Sequence, residues 1–208
     1  MLKVLFIVGP HASGKTFSTS QYIAENNMRD VLSIDTGPIM RDLHKQSCNT
    51  NPIDKWVLDL EKEFGNNITS VLITNEIKKR IVESKKEKVA LIGIRTIDTI
   101  KFVISRLDIT DFNILYVDAD VNLLYCNYLK REKKDISFAE FIEYLDKEQK
   151  SGLSALKELA KQKKIGFNYF YKITNDDSFE NVFLDCFDYN RNKDKVLKLK
   201  KEQKNGKL

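Results

Sequence analysis

The sequence predicts an α/β fold, a parallel five-stranded sheet flanked by helices, with a helical block interrupting the strand pattern. Three observations carry that prediction. Short apolar runs at 4–8, 31–34, 89–92, 113–117 and 168–173 have helix-length segments between them, the pattern of β-α-β units. The first run leads straight into Gly9-Pro10-His11-Ala12-Ser13-Gly14-Lys15-Thr16, which has the spacing G-x-x-x-x-G-K-[ST]. Charged residues then follow the second and third runs, at Asp35, Arg41 and Arg95, where the carboxyl ends of parallel strands share one edge.

Length and composition allow one domain with a sizeable core. Of 208 residues 42% are hydrophobic and three are proline, so a single unit over 1–190 is expected, with little disorder before the end. The formal charge is +5, yet eight lysines and arginines crowd 191–208 against Asp194 and Glu202 alone. The body is therefore near neutral, and 191–208 is a basic tail. Lacking interleaved aromatic residues, such a tail reads as a solvated segment, and nucleic acid is not expected as a partner. No apolar stretch approaches the roughly 18 residues that span a bilayer, and no basic leader with an apolar stretch precedes the first strand. No membrane partner and a cytoplasmic location are expected. Cys48, Cys126 and Cys186 are odd in number, far apart and in no C-x-x-C arrangement, which indicates neither a disulfide framework nor a zinc site.

The first strand, 4–8, runs into the glycine loop, and a helix follows at once, with Phe17, Tyr22 and Ile23 on a polar background until the pair Asn26-Asn27. Glycines let the backbone curl so that successive N–H groups converge on an anion, and the following helix adds its positive end. Polyphosphate is the natural occupant. Lys15 then lies between the β- and γ-phosphates, and the Thr16 hydroxyl becomes one ligand of an octahedral Mg²⁺. All of 9–16 is expected to hold nucleotide.

The second strand, 31–34, ends at Asp35, and Thr36-Gly37-Pro38 reads as a turn. Asp35, Thr36 and Arg41 should stand near the mouth of the loop, although Asp35 also suits an N-cap. Residues 39–85 read as helical, with Trp56, Val57 and Leu60 and then Val71, Leu72, Ile77 and Ile81 at helical spacing. His44 and Trp56 within that block are candidates for contact with a base, but each reads first as a packed or surface side chain. The third strand, 89–92, ends at Gly93-Ile94-Arg95, bringing a second arginine to the same edge. A helix with Ile97, Ile100, Ile104 and Leu107 on one side comes next, then the strand 113–117 and Asp118-Ala119-Asp120, where Asp120 suits the N-cap of the helix after it. That helix closes in Lys130 and Arg131. Ser137-Phe138-Ala139-Glu140 has the form of a capping box opening another long helix, interrupted at Gly152. The last strand, 168–173, precedes the turn Thr174-Asn175-Asp176 and a helix over 179–187.

From the second strand onward the chain resembles the nucleoside-monophosphate kinase group of P-loop kinases, the adenylate kinase and dephospho-CoA kinase relatives among them. That group has S-T-G-D-x-x-R after the second strand; here Asp35-Thr36-Gly37-Pro38-Ile39-Met40-Arg41 keeps the Thr-Gly pair and the arginine, while Asp35 and Pro38 depart. Arg95 matches the arginine of its D-G-x-R, with Ile92 where the group has aspartate. The resemblance covers roughly 2–187 and implies a P-loop kinase fold with an acceptor-binding insertion at 39–85 and a lid at 130–137. It implies that Arg41 holds the acceptor's phosphate, that Arg95 grips the acceptor or the transferring phosphate, and that Arg131 closes over the triphosphate. The acid supporting Mg²⁺ must then come from Asp35, Asp118 or Asp120, or be dispensed with.

The expectation is an ATP- and Mg²⁺-dependent small-molecule kinase. Lys15 and Arg131 stabilise the transferring phosphoryl group, Asp35 serves as base if the acceptor is a hydroxyl, and Asp35, Thr36, Gly37, Arg41 and Arg95 bind the acceptor. A nucleoside monophosphate is the expected acceptor, with dephospho-coenzyme A or another phosphorylated metabolite as the alternative. A nucleotide-dependent regulatory ATPase is the alternative outside the enzyme's kinase class.

Overall fold

In the computed structural model, residues 1–133 and 135–161 are described in full, 169–173 as backbone, and Phe183 and Phe187 individually. The elements in chain order are β1 (Lys3–Val8), α1 (Lys15–Glu25), β2 (Val31–Asp35), α2 (Thr36–Gln46), α3 (Ile53–Phe64), α4 (Ile68–Ser84), β3 (Lys88–Ile92) and α5 (Ile97–Arg106). Then follow β4 (Asp111–Ala119), α6 (Val121–Glu132), α7 (Phe138–Glu148), one π-helical turn (Gln149–Leu153), α8 (Ser154–Lys161) and β5 (Tyr169–Ile173). The turn expected at 174–176, the helix expected at 179–187 and the tail 191–208 lie outside the described residues, apart from Phe183 and Phe187.

All strand pairings are parallel. β2, β3, β1 and β4 stand side by side in that order, and β5 joins the outer edge of β4. The residues explain why both faces are covered. Along β1, Val4, Phe6 and Val8 point to one side and Leu5 and Ile7 to the other, because strand side chains alternate, and all five are buried. The first side meets Ile77 of α4, Ile100 and Val103 of α5, and Leu156 and Ala160 of α8. The second meets Tyr22 of α1 together with Phe183 and Phe187. A smaller cluster, Leu124, Phe141 and Leu145, packs α6 against α7.

With β1 in the middle, the chain runs from β1 to one side for β2 and β3 and then crosses back to β4. The carboxyl end of β1 is thus a switch point, and the glycine loop leaves from it. Three helices fill the crossover between β2 and β3. Within them the His44 and Trp56 rings pack at a tilt, centroids 5.0 Å apart and planes 39° to each other, and Trp56 is buried.

One sequence expectation is corrected. Thr36-Gly37-Pro38 is the first turn of α2 and not a separate turn. Proline is tolerated there because the N–H it lacks would have had no partner within the helix, and the Asp35 side chain accepts from Gly37 N at 2.9 Å to cap the start. The capping box is present in both directions, Glu140 N donating to Ser137 Oγ at 3.2 Å and Ser137 N to Glu140 Oε2 at 2.7 Å. Gly152, with φ 119°, interrupts the run from α7 to α8 as its sequence position suggested.

Candidate active site

The loop 9–16 is shaped by what its residues touch. Gly9 has φ 142°, and a Cβ on it would fall 2.0 Å from the backbone oxygen of Val117, so only glycine lets the loop lie against the end of β4. Ala12 and Gly14 adopt φ 61° and 84°, the left-handed steps that turn successive N–H groups to one side ahead of α1. Lys15 folds back into this curl. Its Nζ donates to the carbonyl of Gly9 at 3.0 Å, to that of Pro10 and to Ser13 Oγ at 3.1 Å. Burial pushes the ammonium down to about 7, with Glu148 and Asp35 supporting its charge and Arg95 and Arg131 opposing it. Four charged groups from four different parts of the chain therefore act on one lysine.

Asp35 ties β2 to the loop. Its Oδ1 caps α2, and its Oδ2 accepts from Thr16 Oγ1 at 2.7 Å. Thr36 Oγ1 donates to Ile92 O at 3.0 Å, locking the start of α2 onto the end of β3. Gly93, at φ 92°, completes the junction, since a Cβ there would lie 2.9 Å from Thr36 Oγ1 and 3.4 Å from Asp35 Oδ1. The Arg41 guanidinium lies over Gly37, its Nη1 3.4 Å from where a Cβ would sit, and the side chain is exposed. Asp35 is thus tied to the loop, Gly37 is bonded to Asp35, Thr36 is bonded to the end of β3, and Arg41 lies over Gly37.

Arg95 reaches the loop from the end of β3. Its Nη1 pairs with Glu148 Oε1 at 3.0 Å, and Glu148 Oε2 accepts the His11 backbone N–H at 2.9 Å. The loop is fastened to α6 as well. Asn127 Nδ2 donates to Ala12 O at 3.1 Å, His11 Nε2 lies 3.1 Å from Glu132 Oε1, and the His11 ring is edge-on to Tyr128 and Tyr144 with centroids 5.8 Å away in each case. Burial, and then Arg131, push the imidazole down from its ordinary value. Arg131 is half-exposed, with Nε 3.5 Å from Glu132 Oε1, two residues before the left-handed Lys133 that ends α6. Lys134 lies outside the described residues.

Two candidate acids are committed elsewhere. Asp118 pairs with Lys157 at 2.7 Å, and Asp120 caps α6 by accepting from Asn122 N at 2.9 Å. Asp35 alone of the three bonds to Thr16. Sequence reasoning did not find Glu148, Glu132, Tyr144 or Asn127. One signal for Glu148 was present: α7 buries Phe141, Leu145 and Glu148, so a carboxylate occupies the i, i+4, i+7 stripe that apolar residues otherwise fill.

These residues fit Mg²⁺ and a nucleoside triphosphate. The curl of N–H groups and the lysine suit a polyphosphate, and a hydroxyl hydrogen-bonded to a carboxylate suits a hard cation that keeps most of its waters. Loop residues 9–16 would hold the phosphates, with Thr16 as metal ligand and Asp35 behind it. When bound, the nucleotide supplies the phosphoryl group and the cation screens its charge. Among the described residues no group of three or more His, Cys, Asp or Glu could hold a metal, and no helix is long and apolar enough to cross a membrane.

No family model matches the sequence, and no curated protein sequence matches it. Solved structures do match. The chain is similar to an uncharacterized protein from Eubacterium ventriosum, with a TM-score of 0.55 at 13% identity, covering 91% of this chain and 99% of that one. It is similar to shikimate kinase from Bacteroides thetaiotaomicron, with a TM-score of 0.51 at 14% identity, covering 92% and 99%. It is also similar to shikimate kinase from Acinetobacter baumannii in complex with shikimate, with a TM-score of 0.52 at 18% identity, covering 91% and 95%. At such identities the likeness shows the fold. It is an α/β fold with a helix-flanked parallel sheet, like that of shikimate kinase.

Proposed function

We propose that this chain is an ATP-dependent kinase that moves the γ-phosphoryl group to a small acceptor already carrying a phosphate, a nucleoside monophosphate. One observation carries the reading: a phosphate loop whose threonine bonds to Asp35 at 2.7 Å shares its edge of the sheet with two arginines, Arg41 and Arg95. An enzyme that only hydrolysed nucleotide would have no use for both. Lys15 and Arg131 act on the transferring group by charge, Arg41 orients the acceptor, and Arg95 grips the acceptor or the transferring phosphate; catalysis is positioning plus electrostatics. The helices over 39–85 hold the acceptor, and 130–137 closes as a lid.

Asp35 favours a second reading, an acceptor hydroxyl. A carboxylate hydrogen-bonded beside the phosphate loop suits removal of a proton from an attacking alcohol, and one structural neighbour is a kinase bound to the alcohol shikimate. A coupled assay of ADP release over nucleoside monophosphates, dephospho-coenzyme A, other phosphorylated metabolites and unphosphorylated alcohols separates the readings, with Lys15→Ala as control. Release that depends on a phosphorylated acceptor supports the first, and dependence on an alcohol the second. Release that needs no acceptor marks a regulatory ATPase and overturns both.

A further inference from the structure

Glu148 is a buried carboxylate, 5% exposed, in a helix stripe that otherwise carries Phe141 and Leu145. Desolvating a carboxylate is unfavourable unless each oxygen finds a donor, and a leucine here would pack without that cost. Each oxygen does find one. Oε2 accepts from His11 N at 2.9 Å, while Oε1 pairs with Arg95 Nη1 at 3.0 Å and accepts from Tyr144 Oη at 3.3 Å. One side of the carboxylate therefore holds the phosphate loop and the other holds an arginine that the kinase reading turns toward phosphate.

The backbone brings these groups together independently. Gly152, in the π-helical turn after α7, has φ 119°, and a Cβ there would lie 3.4 Å from Arg95 O and 3.0 Å from Thr96 Cγ2. The turn thus rests on the loop that carries Arg95, which seats the end of α7 against the end of β3.

We propose that Glu148 is a positioning residue: it tethers the Arg95 guanidinium to the phosphate loop, so that the arginine is aimed at the terminal phosphate before substrate arrives. This deepens the kinase reading and rests on it. Arg95 remains 49% exposed, so without a tether its long side chain would range over many rotamers. A guanidinium held along one edge by a buried carboxylate keeps its remaining donors in a fixed plane. Ordering it in advance removes part of the entropy that binding would otherwise have to supply.

Geometry and bare charge predict opposite signs, which makes the idea testable. Glu148→Gln removes a negative charge near the triphosphate, so charge alone predicts tighter binding of Mg·ATP. Tethering predicts that Mg·ATP binds about tenfold more weakly by calorimetry while Mg·ADP, lacking the terminal phosphate, changes by less than about threefold. Glu148→Asp keeps the charge and the fold with the carboxylate one methylene short; it should lose the preference for ATP as Glu148→Gln does. Either variant binding ATP as tightly as the parent, or more tightly, overturns the proposal. With an acceptor from the screen, Arg95→Ala and Glu148→Gln should each lower kcat by at least about 30-fold, and the double variant no further than the worse single one. Additive losses overturn the proposal. The binding arm needs no acceptor, so if none is turned over the kinase reading fails while Glu148 is still judged on ATP against ADP.

Discussion

Lys15 shows at the scale of one residue how this site trades stability against chemistry. Its ammonium is buried among three oxygen acceptors, and burial depresses it to about 7. The folded pKa lies below the unfolded one. The penalty for keeping this lysine is therefore fully present below pH 7 and vanishes as pH rises toward the ordinary lysine value. Lys15→Met should abolish phosphoryl transfer and still raise the ligand-free thermal midpoint at pH 7, the gain shrinking toward pH 10 in calorimetric scans. Asp35 makes two separable contacts. Asparagine can still accept from Gly37 N, so Asp35→Asn should keep the cap, leave stability within about 1 kcal/mol and cost about 10²-fold or more in kcat. Loss of both in parallel would show that the carboxylate serves the helix alone. His11 adds a pH response of its own. Its pKa is lowered by burial and by Arg131, so the stability its neutral ring supports is present above pH 6.5 and lost as pH falls through the depressed value. Replacing it with asparagine should flatten the fall of the thermal midpoint between pH 7 and 5.

At the scale of elements, what could be read in the sequence depended on how far apart the partners are. The glycine loop, the strand before it and the helix after it are contiguous, and so are the Thr-Gly-x-x-x-Arg stretch and the capping box at Ser137. Each was legible because neighbouring residues explain one another. Glu148 reaches the loop across 137 positions, Glu132 across 121 and Asn127 across 115, and no local pattern pairs them. The misread turn at 36–38 has a different cause: Gly-Pro punctuation usually marks a loop, but the Asp35 cap makes it a helix start. Gly9 gives the element-scale prediction. A methyl group there meets the backbone oxygen of Val117 at 2.0 Å, a clash that no rotamer relieves. Gly9→Ala should destabilise the fold by more than about 2 kcal/mol, measured by urea titration. Ser137→Ala, which removes one half of the capping box, should cost only about 1 kcal/mol in the same titration.

At the scale of the whole molecule, the loop is the place where separate parts of the fold meet. β1 delivers it, β2 reaches it through Asp35 and Thr16, the β3 junction reaches it through Arg95 and Glu148, and α6 reaches it through Asn127 and Glu132. A ligand that grips these groups at once should stabilise the molecule globally, because it binds the folded chain and cannot find the same donors assembled in the unfolded one. At a hundredfold excess over its dissociation constant, Mg·ADP should add about 2.7 kcal/mol, which for a chain of this size raises the thermal midpoint by roughly 5–10 °C. The shift should grow with the logarithm of nucleotide concentration, disappear in Lys15→Met and shrink when Mg²⁺ is chelated, since Thr16 and Asp35 act through the cation. A midpoint that nucleotide does not move, in protein shown to be folded by circular dichroism, would mean that the loop accepts no polyphosphate, and the kinase reading would fall with it.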